Sequence, residues 1–102
     1  MAHPPPGDAG FDVNSADRVA RIRQSLNERL APVELIVRDD SAAHAGHAGA
    51  REGGHFSVTV VSEQFAGRTR MQRHQLVYAA VADLMRTDIH ALSIQARTPQ
   101  ES

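Results

Sequence analysis

Between His55 and Arg86 the spacing of apolar residues changes period, and that change leaves little freedom in the fold. From His55 to Ser62 the chain alternates, with Phe56, Val58 and Val60 on one face and Ser57 and Thr59 on the other. Such alternation marks a half-buried strand. Further on, Leu76, Val77, Ala80, Val81, Leu84 and Met85 recur at helical spacing, with alanines that allow close packing. Ser62 is placed to cap a short helical turn through Glu63, Gln64 and Phe65, which Gly67 breaks. Thr69 is placed to cap the longer helix, predicted to run to about Arg86. In 102 residues there is room for one domain with one modest core to bury both faces.

The flanking segments complete the pattern. Val19, Ile22, Leu26 and Leu30 form one stripe on an amphipathic helix over roughly 16–30, with Ser15 as its N-cap and Pro32 ending it. Residues 33–38 read as a strand with Val33, Leu35 and Val37 toward the core and Glu34 toward solvent. This strand pairs with the one at 55–62 as an antiparallel hairpin. Between them, residues 39–54 are rich in glycine and alanine and long for a hairpin connection. A last strand, 88–98, alternates Leu92, Ile94 and Ala96 against Ser93 and Gln95. The expected fold is α+β, in the order α-β-β-α-α-β, with helices on one face of a small three-stranded sheet. Residues 1–14, with three consecutive prolines, read as a disordered tail, 15–98 as the domain, and 99–102 as a frayed end.

Composition excludes several functions. The chain has no cysteine, so it offers no disulfide, no thiol nucleophile and no all-cysteine metal site. It has six histidines, and every other basic residue is arginine. A net charge of −1 provides no global field to attract nucleic acid or a membrane. There is no long apolar run and no charged-then-apolar N-terminal pattern, so a cytoplasmic address is expected. Nothing matches a nucleophile elbow, a phosphate-cradling loop or HExxH. Asp39 and Asp40 read as strand-end turn formers, and Ser41 with His44 and Asp39 lacks the rigid support a triad needs. The chain is therefore read as a non-enzyme with no catalytic residue. Met71, Tyr78 and Met85 read as core or interface filler.

Several linked motifs resemble the BolA-like family. Val60 to Met85 reads VVSEQFAGRTRMQRHQLVYAAVADLM, a strand ending in serine, then Phe-x-Gly, then Arg-His before an amphipathic helix. Ile89-His90-Ala91-Leu92-Ser93-Ile94 is similar to the family's His-Ala-Leu strand, and Asp39-Asp40-Ser41 and Gly54-His55-Phe56 also match. The resemblance covers roughly 16–97. It implies a class II KH-like fold, partnership with monothiol glutaredoxins, and a role in iron–sulfur cluster maturation or iron regulation. Some relatives are described as transcription regulators.

The metal chemistry can be weighed on its own. Imidazole serves as a ligand where thiolate is absent, as the histidines of Rieske-type [2Fe–2S] centres do. Without cysteine this chain cannot hold such a cluster alone with ordinary ligands, but it can complete one. The resemblance implies that a glutaredoxin cysteine and glutathione supply the thiolates; the isolated protein is expected to be a monomer carrying no cofactor. It also points to His90 as a ligand and to the hairpin loop for a second, which resembles the family's histidine-loop subgroup; His44 and His47 stay open between them. His55 matches a family position, but read alone it is a strand-edge residue. A dedicated zinc site is not expected, because His44 and His47 supply two ligands of the usual four.

Binding of DNA or another nucleic acid is the alternative. Arg68, Arg70 and Arg73 gather charge at the start of the long helix, with His74 beside them. Gly67-Arg68-Thr69-Arg70 lacks the second glycine of a KH Gly-x-x-Gly loop. The same arginines would equally dock an acidic partner.

Overall fold

Buried Ser62 ties together the first helix, the short turn that follows it and the last strand. In the computed structural model, which describes residues 6–40 and 54–101 (side chains from Ala16 on), Ser62 is 1% exposed. Its Oγ donates to the Leu30 carbonyl at 2.6 Å and accepts from the Gln64 N–H at 3.1 Å, while its own N–H donates to the Arg97 carbonyl at 2.9 Å. One residue thus caps the turn that follows, closes the end of the first helix and ties in the last strand.

The elements run α1 (Pro6–Leu30), β1 (Glu34–Asp39), β2 (Gly54–Val61), a 3-10 turn (Glu63–Phe65), α2 (Arg70–Ala80), α3 (Ala82–Met85) and β3 (Ile89–Arg97). The three strands lie in the order β1-β2-β3, with β1 antiparallel to β2 and β2 parallel to β3. Parallel neighbours need a crossover, and α2 with α3 supplies it. This is the expected α+β order, with the helices on one sheet face. Ile22, Leu26 and Leu30 of α1, Phe56, Val58 and Val60 of β2, Phe65, and Val77, Ala80 and Val81 form the core. Burying a side chain of this size stabilises by roughly 1.5–3 kcal/mol.

The structure departs from the sequence expectation in several places. Helix α1 begins at Pro6, where a proline's fixed φ and missing N–H suit a first helical position. It therefore runs through residues assigned to a disordered tail, and Ser15 lies inside it rather than capping it. Val33 is 66% exposed, not in the core, because the strand starts one residue later at the turn out of α1. The helix expected to reach Arg86 is interrupted at Val81 (φ −115°, ψ 22°), whose N–H is shared between the Val77 and Tyr78 carbonyls. Val81 is β-branched, so it gives up little by leaving the helix, and there it is fully buried. Met71 and Tyr78 are exposed, whereas Met85 packs against the core. The C-terminal residues expected to fray form a turn, held by Glu101 accepting from the Thr98 N–H at 2.9 Å.

The caps expected at Ser62 and Thr69 are formed. Thr69 and Gln72 form a reciprocal capping box at the start of α2, with bonds of 2.9 and 3.1 Å. Gly67 takes φ +74°, which glycine adopts without steric cost.

Candidate functional site

The pairing directions sort the sheet into two ends. Where β2 and β3 begin, β1 ends, so Asp39, Gly54, His55 and Ile89 lie together. Where β2 and β3 end, the crossover has just delivered the start of α2. Each end collects one group of the candidate residues.

His90 is at the first end. The β2–β3 register passes from Gly54↔Ile89 to His55↔Ala91, which leaves His90 as an extra residue on β3. A bulge of this kind re-aims a side chain at the margin of a sheet. His90 is exposed, while its neighbour Ile89 is 2% exposed and anchors the strand. The His90 and His55 rings lie 5.3 Å apart between centroids, tilted by 38°. The backbone around them is fastened: the Gly54 N–H donates to the Asp88 carbonyl at 3.0 Å and the Asp40 N–H to the His55 carbonyl at 2.7 Å. The Ser57 hydroxyl donates to the Asp40 carboxylate. Asp88 is itself clamped by Arg21, whose hydrogen bonds hold its carboxyl below the ordinary value.

The sequence singled out His90 for this position and treated His55 as a strand-edge residue. What brings His55 to His90 is the parallel β2–β3 register, which no local spacing encodes. His44 and His47 fall in 41–53 and lie outside the described residues. The described residues on either side of that segment, Asp40 and Gly54, border this imidazole pair. Among the described residues no three His, Asp or Glu side chains come close enough to hold a metal ion by themselves. The donors described at this end are one exposed imidazole on an anchored bulge and a second ring beside it, so a metal centre here would have to draw its other ligands from elsewhere.

The second end holds the arginines. A groove of about 450 Å³ is lined by Arg68, Arg70, Arg73 and His74 from the start of α2 and by Ile94, Gln95, Ala96 and Arg97 from the end of β3. All four basic-patch residues read from the sequence are therefore brought together. Arg97 joins them unforeseen. The signal that would have found it is the parallel crossover, which puts a strand's C-terminal end beside the N-terminus of the helix preceding it.

Arg73 is the fixed member. It donates to the carbonyls of Arg68 (3.0 Å) and Ala96 (3.1 Å) and forks onto Glu101 at 2.6 and 3.0 Å. That pairing, with the Thr98 N–H, holds the Glu101 carboxyl down to about 2. Arg68 donates to the Gln64 carbonyl and Arg97 to the Gln95 side chain. Among the described residues, neither these two nor Arg70 has a carboxylate partner. No helix among the described residues is long and apolar enough to cross a membrane.

A family model described as BolA-like protein matches residues 26–101. A chloroplastic BOLA1 protein of Arabidopsis thaliana is 43% identical over an alignment of 90 residues that covers 84% of this chain and 56% of that protein. The chain thus spans little more than half of that relative's length. The DNA-binding transcriptional regulator BolA of Escherichia coli is 36% identical over 81 residues, covering 79% of this chain and 75% of that one. Among solved structures, the BolA domain of SufE1 from Arabidopsis thaliana superposes with a TM-score of 0.74 at 46% identity, over 83% of this chain and 95% of that one. The chain belongs to the BolA-like family.

Proposed function

We propose that this chain is a non-catalytic adaptor that binds a monothiol glutaredoxin and lends His90 to a [2Fe–2S] cluster held between the two proteins. The remaining ligands in this reading are His44 or His47 of this chain, which would make it a histidine-loop member, and the partner's cysteine and glutathione thiolates. The carrying observation is His90 itself, an exposed imidazole on an anchored bulge beside His55. The absence of cysteine makes a partner's thiolates necessary. When bound, such a cluster supplies redox-active iron, and this chain's contribution is to present a ligand and a surface. The isolated chain in this reading is a cluster-free monomer. The expected cytoplasmic address draws no support from the plant relative, which is named chloroplastic.

The test is a titration of this protein into cluster-loaded monothiol glutaredoxin, followed by visible circular dichroism. A saturable spectral change is expected, lost in His90→Ala and kept when Arg68 and Arg70 become alanine. No spectral change and no complex would sink the reading.

Nucleic-acid binding is the second reading. The arginine groove favours it, and the Escherichia coli relative is named for DNA binding. The charge of −1 and the lack of phenylalanine, tyrosine or tryptophan in the groove weigh against it for this chain.

A further inference from the structure

We propose that the groove between the start of α2 and the end of β3 is a docking site for an acidic peptide segment of a partner protein. The inference goes beyond the cluster reading and does not depend on it. Its first support is internal. Glu101 already sits on Arg73 as a two-pronged carboxylate–guanidinium pair, so this cluster is seen holding an acidic side chain of its own chain. Forked pairing of that kind is what arginine does better than lysine. Its second support is the surplus of charge. Arg68, Arg70 and Arg97 face the same groove and have no carboxylate among the described residues. Further acidic side chains, spaced along a short extended segment, would complete what Glu101 begins.

The shape agrees. About 450 Å³ lies within the usual range of ligand pockets, roughly 300–1,000 Å³. Ile94 and Ala96 add an apolar wall against which a peptide's backbone and methylenes can rest. β3 is an edge strand, yet Arg73 already occupies the Ala96 carbonyl, so the ligand meets guanidinium groups there and not an open strand edge. A nucleic-acid strand would want stacking rings, and His74 alone offers one. The groove's lining on β3, Ile94 to Arg97, lies four to seven residues beyond His90, roughly 13–23 Å at strand rise, so a peptide docked there leaves the imidazole end uncovered.

The test uses the full chain and a fluorescently labelled hexaglutamate peptide, read by anisotropy at low salt. Saturable binding is expected. It should weaken at least about tenfold when Arg68, Arg70 and Arg97 are replaced by alanine, as three charge-assisted contacts are lost at an exposed site. Arg70→Glu alone should weaken it in the same direction, and that side chain has no hydrogen-bond or ion-pair partner among the described residues. His90→Ala should keep the peptide signal while removing the glutaredoxin-dependent one, which separates this proposal from the cluster reading. Unlabelled hexaglutamate should displace the probe better than inorganic phosphate or a single-stranded oligonucleotide of equal charge. Stronger displacement by the oligonucleotide would reassign the groove to nucleic acid, and equal displacement by phosphate would reduce it to a simple anion site. Either result overturns the proposal, as would absent binding or binding that survives both sets of arginine substitutions.

Discussion

Arg21 and Asp88 stand 67 positions apart in the chain and meet as a forked ion pair, Nη2 to Oδ1 at 2.9 Å and Nε to Oδ2 at 3.1 Å. The Arg18 Nε adds a contact to Oδ1 at 3.5 Å. The pair fastens α1 to the turn that launches β3, two residues ahead of His90. The Asp88 backbone is held too, its N–H donating to the Leu84 carbonyl at 2.7 Å and its carbonyl accepting from the Gly54 N–H. The imidazole end of the sheet is therefore braced from the helix layer.

The brace has a measurable size. The Arg21 side chain is 46% exposed, so solvent screens the pair, and Asp88→Asn or Arg21→Ala should each cost up to about 1 kcal/mol in urea unfolding. The double variant should lose little more than the larger single loss, since both remove one interaction. Additive losses would show that the two side chains act separately.

Ser62→Ala should be far costlier for a smaller change in shape. The hydroxyl is buried, and removing it leaves the Leu30 carbonyl and the Gln64 N–H without the partner each has now. Loss of a cap plus a buried unsatisfied group predicts about 2–3 kcal/mol. Thermal unfolding checks this, and a change within about 0.5 kcal/mol, the usual surface value, would contradict the joining role given to Ser62.

Ala31→Gly should stabilise. Ala31 closes α1 in the left-handed region at φ 46°, with its N–H bonded to the Asn27 carbonyl at 3.2 Å. The Cβ strain relieved there exceeds the added chain entropy of glycine, for a net gain of about 0.5–1 kcal/mol. Differential scanning calorimetry of the single variant reads the sign directly.

The C-terminal turn should respond to acid. The Glu101 carboxyl lies below its ordinary 4.5, at about 2, chiefly because Arg73 hydrogen-bonds the ionised form. A folded-state value lower than the unfolded one means the pairing stabilises fully above about pH 4.5 and is lost as pH falls through about 2. NMR shifts of Thr98 and Glu101 should report release of the turn in that window. Glu101→Gln should remove the pH dependence and leave the core signals in place.

Local chemistry alone was enough for much of this molecule. The stripe Val19-Ile22-Leu26-Leu30, the alternation of β2, the Thr69 cap and the turn at Gly67 are all written within a few residues of one another, because caps and periodicity are short-range effects. The same local reading placed Arg68, Arg70, Arg73 and His74 together, since they share one helix start. It failed at α1, where nothing between Gly7 and Asn14 breaks a helix as firmly as proline does, so the chain continues from Pro6. It failed again at Val81, where burial outweighs helical continuity. What only the tertiary structure decided is which distant residues meet. Antiparallel β1, parallel β3 and the right register put His55 beside His90, Arg97 beside Arg73, and Asp88 under Arg21. Strand direction and register follow from how the apolar faces pack across the whole core, and that balance is not carried by any one stretch of sequence.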